Sequence, residues 1–408
     1  MEKDNTDVSK AALPENTKVY NKNFILLFIL EFTIFLVFYI ILPIIPLYIL
    51  HIGGNEAMVG WIIGLAGPIG AIGVPLYGIM VDKWSAKKTI AVGMVASTAS
   101  AFVLTIIQTP WPVLISAVLR RIGTGASGTA TRTMVISNAP GNRRGEAMTN
   151  FATSHNFAIA IGPSIGIALL ATDGFRTVFI VAGTLMFASI SLLFPISSPK
   201  RRTPTAAPAT EESGFFSQIK STFVKEAWAP AAATFFLSAA YLSTITFISV
   251  ICEQREIENY SMFFTVYAVV VIIGRLLTGK LSDRYGRAVI LYPSLILGAI
   301  CMLLIAQAFS FVILILASVA LGFGFGTGNP MLQTIAADWA PEEKHGRAMS
   351  MLLGSFSFGS ALGTIMIGEL SRLANFQVAF NVMAVMMIMA LIVSIVGFNT
   401  RKSGLENS

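Results

Sequence analysis

The sequence predicts an all-α integral membrane protein with twelve transmembrane helices in two pseudo-symmetric six-helix bundles. Of its 408 residues, 55% are hydrophobic and only 12% are charged, with a mean hydropathy of +0.74. A soluble protein of this length needs more charge to cover its surface. Apolar runs of about 20 residues recur along the chain, enough for a helix to cross about 30 Å of hydrocarbon. Many residues also recur at one fixed offset.

Six predicted spans lie in each half of the chain. They are near residues 24–50, 57–81, 88–108, 111–135, 146–171 and 176–197, and then near 226–251, 259–280, 288–308, 311–335, 347–370 and 376–398. A membrane β-barrel would instead show alternating segments of about ten residues, and this chain does not.

Lysine and arginine in the connections predict the orientation, because cytoplasmic loops are enriched in both. With a cytoplasmic N-terminus, the loops on the other side hold only Arg176, Arg255 and Arg372. We therefore expect a multi-pass protein of the cell membrane with both termini in the cytoplasm. The net charge of +7 then reflects topology and contact with lipid headgroups rather than nucleic-acid binding.

The remaining composition predicts neither a leader peptide nor a bound group. Residues 1–22 are polar, without the apolar core of a signal peptide. The two cysteines, Cys252 and Cys301, lack the spacing of a disulfide framework or a metal site, so we expect ordinary apolar packing. We expect no cofactor and no metal.

The charged corners that follow two of the spans reveal an internal repeat. Asp82 and Asp283 are 201 residues apart, and Gly78 and Gly279 share this offset. The same offset relates Gly73 to Gly274, Gly123 to Gly324, Gly125 to Gly326, Pro140 to Pro341, Gly145 to Gly346 and Gly162 to Gly363. One offset held across several spans and loops predicts two homologous halves.

The repeat and a polar, proline-containing stretch at residues 197–226 set the expected boundaries. We predict a cytoplasmic tail at 1–22, a first bundle at 23–197, a cytoplasmic linker at 198–225, a second bundle at 226–398 and a cytoplasmic tail at 399–408.

Two parallel six-helix halves, together with the segment GKLSDRYGR, resemble the major facilitator superfamily. The signature loop of that family is matched by Gly279, Asp283, Arg284, Gly286 and Arg287. The first-half copy keeps Gly78, Asp82 and Lys83, but Ser85 and Ala86 replace the second glycine and the following arginine.

The resemblance implies alternating access, with the two corners acting as latches across the interface between the halves. It implies that Asp82 binds the start of the eleventh helix, after Gly346, and that Asp283 binds the start of the fifth, after Gly145. We assign Arg275, eight residues before Asp283, to the same latch. The alternative is that both aspartates cap their own loops and mark topology.

Two further motifs are similar to those of twelve-helix drug/proton antiporters. In AIAIGPSIG of the fifth span, Gly162, Pro163 and Gly166 match an exporter motif. The stretch LPIIPLY at the end of the first span supplies Pro43 and Pro46. Generic packing of small residues, and an ordinary helix terminus, are the respective alternatives.

The fourth span carries LRRIGTGASG, in which Arg121 starts an arginine–glycine motif of the same family. A buried arginine normally faces a cavity or a partner. Arg120 lies about 100° around the helix, so we expect the two arginines to serve different purposes and favour Arg121.

Glu31 is the one acidic residue well inside an apolar span, and such a residue is a candidate for proton coupling or substrate contact. A fixed ion pair with Arg121 or another base, without a role in transport, is the alternative. His155 and Asn156 lie in the fifth span, where a histidine can relay protons. A single structural hydrogen bond is the alternative for His155.

These features favour a proton-coupled exporter of a small amphipathic or zwitterionic compound, such as a drug, a siderophore, an opine-type metallophore or a sugar. An uptake facilitator or symporter of the same fold is the second possibility, and a membrane sensor or enzyme the third. The sequence has no HExxH motif and no GxxxxGK[ST] phosphate-binding loop, so we predict no enzyme activity and no ATP coupling. Protons, a small molecule and lipid are the expected partners of a monomer.

Overall fold

The computed structural model describes residues 20–140, 143–197 and 224–406, without the side chains of 74, 75, 279, 280, 283 and 402–406. The secondary structure of these residues is helical throughout. Nine helical segments of this part of the chain are long and apolar enough to cross a membrane, and Met262–Thr278 is a shorter apolar one. The predicted all-α membrane architecture is confirmed.

The first half contains six spans in six helices, because one span is divided and two are joined. They are α1 (Lys22–Ile41), α2 (Ile44–His51), α3 (Glu56–Lys83), α4 (Ala86–Leu104), α5 (Val113–Asn138) and α6 (Arg144–Ser189). The first span breaks between α1 and α2, at Leu42 and Pro43. The fifth and sixth spans run together in α6, interrupted at Gly174, where φ is 77°.

The second half contains one helix for each predicted span. These are α7 (Trp228–Gln254), α8 (Met262–Tyr285), α9 (Arg287–Ala306), α10 (Phe311–Trp339), α11 (His345–Leu373) and α12 (Phe376–Glu406). The predicted linker, 198–225, and the N-terminal tail, 1–22, lie mostly outside the described residues.

Glycines let the helices of each half approach closely. A methyl group added at Gly162 would lie 2.6 Å from Cβ of Tyr39, so α6 touches α1 there. The repeat-related Gly363 on α11 faces the backbone of Ala239 on α7 in the same way. The two halves therefore use equivalent small residues for equivalent helix contacts, as the repeat predicts.

The two halves meet mainly through α3 against α11 and α6 against α8. At the end where α3 starts and α11 ends, which we call the opposite face, Trp61 donates a hydrogen bond to Glu369 (2.9 Å). Gln254 of α7 donates another to Glu56 (3.1 Å). These bonds join the halves at that face.

Towards the other end of α3 and α11, which we call the linker face, the two helices separate. A methyl group added to α3 would lie 2.7 Å from the α11 backbone at Gly60, 2.9 Å at Gly64 and 3.8 Å at Gly67. At Gly78 it would meet no described atom within 4 Å, and the same holds at Gly354 of α11. The described residues thus form a molecule closed at the opposite face and open at the linker face.

Candidate substrate and proton site

Glu31 lies in the interior of the first half, and among the described residues its side chain has one hydrogen-bond partner. The residue is 2% exposed, and its Oε2 accepts a hydrogen bond from Thr131 Oγ1 of α5 at 2.6 Å. The ion pairs of the described residues do not include Glu31. Arg132 is close enough to act on it electrostatically. The alternative of a fixed ion pair with Arg121 is therefore not what the structure contains.

Arg120 and Arg121 form a second layer, closer to the opposite face. They precede Thr131 by 11 and 10 residues, which is about 15 Å along the axis of α5. Their guanidinium carbons lie 5.2 and 5.6 Å from the centroid of the Phe38 ring on α1. Both long side chains therefore reach the same ring, although the two residues lie about 100° apart around the helix. Arg120, which the sequence analysis set aside, is the more buried of the two.

His155 projects from α6 towards α1. Its Nε2 lies 2.8 Å from the hydroxyl of Tyr39, and its ring centroid is 4.2 Å from that of Phe35, edge to face. Asn156 is also half-buried, on the next position of the helix. The His155–Tyr39 pair satisfies the structural alternative and leaves the other ring nitrogen for a relay.

The second half contributes aromatic rings to the interior. Tyr241 of α7 stacks on Phe325 of α10 at 3.4 Å, with 5° between the planes. Tyr267 of α8 donates a hydrogen bond to the Tyr241 hydroxyl (3.2 Å), and Phe356 of α11 lies 6.3 Å from Phe325. Such a cluster offers a flat apolar surface with hydroxyl groups at its edge.

Arg275 of α8 acts electrostatically on residues of both halves. Its charge acts on Tyr241 of its own half and on His155 and Tyr39 of the first half. It stands ten residues before the end of α8 at Tyr285, about 15 Å from the linker-face end of the helix. Arg275 thus acts on interior residues as well, and its assignment to the latch stays a prediction.

The exporter motif and the proline motif both shape helices. Gly166 faces the backbone oxygen of Ile40 so closely that a side chain would not fit, and Pro163 lies inside α6 between this contact and that of Gly162. Pro43 is the N-cap of α2, and Pro46 lies in its first turn, where a missing N–H costs nothing.

The latch residues lie at the linker face, where the halves are apart. Arg287 forms a salt bridge with Asp338 of α10 (3.0 Å) and donates to Ser282 Oγ (2.8 Å), both in its own half. Arg284 lies 5.2 Å from the centroid of the Tyr285 ring. Asp82 and Lys83 are exposed at the end of α3, with Gly78 one turn earlier. The side chains of Gly279 and Asp283 lie outside the described residues.

The sequence patterns did not identify Arg132, Thr131 or the hydrogen-bonded tyrosines Tyr241 and Tyr267. Arg132 follows Arg121 by 11 residues, which brings it back to within about 20° on the same helix face, so periodicity could have identified it. Thr131 and Tyr241 carry no such signal, because their roles depend on which residues of other helices face them.

Comparison with known proteins places the chain among membrane transporters. The family model of the Major Facilitator Superfamily matches residues 27–263 and 256–408. The curated relatives include the multidrug resistance protein MdtG of Enterobacter lignolyticus (strain SCF1), 28% identical over 175 residues, which are 42% of this chain and 41% of that protein. MdtG of Salmonella schwarzengrund (strain CVM19633) is 28% identical over 155 residues, 37% of this chain and 38% of that protein. The matches thus span about two-fifths of these relatives.

Solved structures resemble the fold over nearly the whole chain. A crystal structure of the nucleoside transporter NupG has a TM-score of 0.74 at 16% identity and covers 93% of this chain and 99% of its own. A POT family transporter in complex with 5-aminolevulinic acid has a TM-score of 0.73 at 14% identity, with coverages of 91% and 94%. At these identities the likeness concerns the fold alone.

Proposed function

Because the chain belongs to the Major Facilitator Superfamily, and is a transporter rather than an enzyme, we propose that it exports a small amphipathic or zwitterionic compound by proton antiport. The substrate binds between the charged first half and the aromatic second half. The two halves rock about this site, so that the linker face and the opposite face open in turn.

The observation that carries the proposal is the pairing of Glu31 with Thr131. A carboxylate accepts a hydrogen bond, whereas a protonated carboxyl donates one. The hydroxyl of Thr131 lies 2.6 Å from Glu31 and also 3.0 Å from Ser127 O and 3.2 Å from Gly128 O. Thr131 can therefore donate to the ionised acid, or donate to its own helix and accept from the protonated acid. Thr131 thus offers Glu31 one hydrogen bond in either protonation state.

The proposed orientation defines which face of the protein is cytoplasmic. We assign the linker face to the cytoplasm, because the predicted cytoplasmic segments carry most of the lysine and arginine of the loops, and we propose a monomer in the cell membrane with both termini inside. The named function of the MdtG relatives supports drug efflux. Siderophores, opine-type metallophores and other metabolites remain within the proposed substrate class.

The test is Glu31→Gln, which keeps the shape of the side chain and removes the titration. A panel of amphipathic compounds, tested for resistance in a host without its major efflux pumps, selects a substrate. In proteoliposomes with an imposed proton gradient, Glu31→Gln should abolish uphill export of that compound. The exposed Glu258 on the opposite face provides the matched control, and Glu258→Gln should export at the parental rate.

Two outcomes would contradict this assignment. Gradient-driven export by Glu31→Gln at the parental rate would remove Glu31 from coupling. Net accumulation of the compound in the direction of proton entry would replace antiport by the symporter alternative.

A further inference from the structure

The Arg120 side chain is buried without a partner for two of its nitrogens. Arg120 is 5% exposed, and its Nε and Nη1 have neither solvent contact nor a hydrogen-bond partner among the described residues. A guanidinium carries five N–H donors and stays charged in proteins. A buried charge that lacks an acceptor is costly, so such groups normally pair with an opposite charge. The described conformation therefore presents an unmet demand for a hydrogen-bond acceptor.

The neighbouring residues add positive charge instead of compensating it. Arg121 shares the Phe38 ring with Arg120 and acts on it electrostatically. Its stem packs against Gly70 of α3, where an added methyl group would lie 3.0 Å from Cβ of Arg121. Glu31 is about 15 Å away along the bundle and is bonded to Thr131. Two guanidinium groups thus converge on one ring, and the acid of this half is held elsewhere.

The other arginines near the interior also contribute positive charge. Arg132 of the first half and Arg275 of the second act on the region around Glu31, His155 and Tyr39. These two exposed arginines therefore add to the positive charge of Arg120 and Arg121 around an interior with one described carboxylate, Glu31. A site of this charge attracts anions and repels the cations that an acidic cavity would bind.

We propose that Arg120 and Arg121 form an anion subsite that binds an oxyanion group of the substrate, such as a carboxylate, phosphonate or sulfonate. The inference rests on the proposed transport function and narrows its substrate class. Paired guanidinium groups bind such groups through charge-assisted, bidentate hydrogen bonds. The stacked Tyr241–Phe325 pair, on the second half, binds the flat or apolar body of the same molecule.

The proposed site needs both halves, because each half binds a different part of the substrate. The anion is held by α5 of the first half and the apolar body by α7 and α10 of the second, so a bound molecule bridges the two bundles. A neutral compound of the same shape keeps the stacking contact but leaves both guanidinium groups without an acceptor. We therefore expect the subsite to discriminate by charge more strongly than by shape.

The test compares naphthoate with naphthamide, which have the same ring system but differ in charge. Binding to the purified full-length protein in zwitterionic-lipid nanodiscs is measured by calorimetry at neutral pH, without a proton gradient. We expect naphthoate to bind about tenfold more tightly than naphthamide. Arg120→Gln and Arg121→Gln should each remove this preference while leaving naphthamide affinity unchanged, and Arg120→Lys should retain part of it. Inorganic phosphate should compete with naphthoate only.

The matched control is Arg176→Gln, which removes an arginine exposed at the opposite face and should keep the preference. Equal affinities of the parent protein for the two probes would overturn the inference, and this comparison does not depend on any variant folding. A preference that persists in Arg120→Gln would also overturn it. This binding is measured at equilibrium, so it can still be interpreted if the Glu31 experiment contradicts proton coupling. Conversely, equal binding of the two probes would contradict the anion subsite and not the proposed antiport.

Discussion

The two halves of the molecule share their packing positions and differ in their chemistry. Positions 201 residues apart keep a glycine at a close helix contact, as at Gly162 and Gly363. At the same offset, Glu31 corresponds to Ala232, Arg121 to Gly322 and His155 to Phe356. The first half holds Glu31, Arg120 and Arg121, and the second half holds the stacked Tyr241–Phe325 pair.

This difference separates two requirements of a rocking transporter. Each bundle must stay rigid while it moves, which demands the same close contacts in both halves. Proton coupling needs one titrating group, and a second copy in the other half would add buried charge without a partner. The duplication is therefore preserved in the scaffold and lost at the site.

The largest expected effect tests the shared scaffold. The repeat-related Gly162→Ala and Gly363→Ala each place a methyl group against the backbone of a neighbouring helix, at Tyr39 and at Ala239, which cannot move aside as a flexible side chain can. We expect each to destabilise the protein by about 1–3 kcal/mol, measured by thermal unfolding in detergent. Gly128→Ala on α5, where the added methyl meets no described atom within 4 Å, should be neutral or stabilising. Similar stability of all three variants would contradict the equivalence of the scaffolds.

Sequence patterns predicted the spans, the repeat and the position of Glu31 inside an apolar span, because each depends on local composition or on a fixed offset. They did not predict that Arg120 would join Arg121, since helical geometry gives the direction of Cβ and not the reach of a long side chain. The spacing of Arg275 from Asp283 did not indicate that its charge also acts on His155 and Tyr241. The Thr131–Glu31 bond requires the register of two helices, which no single sequence segment contains.

The open linker face was also beyond the sequence. Alternating states of a transporter differ by only a few kcal/mol and share the same helices. Whether α3 and α11 touch at the linker face depends on the sum of weak contacts at both faces, and not on any one motif.

The second prediction concerns the two corners at that face. Asp283 lies in the intact copy of the signature loop and Asp82 in the altered one, so we predict that Asp283→Asn weakens the closed linker face more than Asp82→Asn. A loss of about 1 kcal/mol would change the population of the open state about fivefold. A cysteine introduced by Gly354→Cys on α11 measures this population, because Gly354 lies where α3 and α11 separate.

Labelling by a maleimide reagent in membranes measures the change. The native Cys252 and Cys301 are fully buried and give a low background. Faster labelling of Gly354→Cys in the Asp283→Asn background, with a smaller increase for Asp82→Asn, is the expected result. If both match the parent in labelling and in transport, the corners only cap their loops.

The last prediction concerns the residue that distinguishes the two corners. Ser85 has φ 153° and ψ 156°, and its repeat-related Gly286 has φ 91° and ψ 159°. Both conformations belong to a region that only glycine adopts without strain, which costs other residues about 1–3 kcal/mol. The Ser85 hydroxyl offsets part of this strain energy, because as the N-cap of α4 it accepts a hydrogen bond from Lys88 N (3.3 Å). Glycine is only a few tenths of a kcal/mol worse than serine at an N-cap.

Ser85→Gly should therefore stabilise the first half by about 1 kcal/mol, whereas Gly286→Ser should destabilise the second by about 1–3 kcal/mol. Thermal unfolding measures both, and Ser85→Ala, which keeps the strain and loses the cap, should be less stable than the parent. A gain from Ser85→Ala equal to that from Ser85→Gly would mean that the backbone at this corner is not strained.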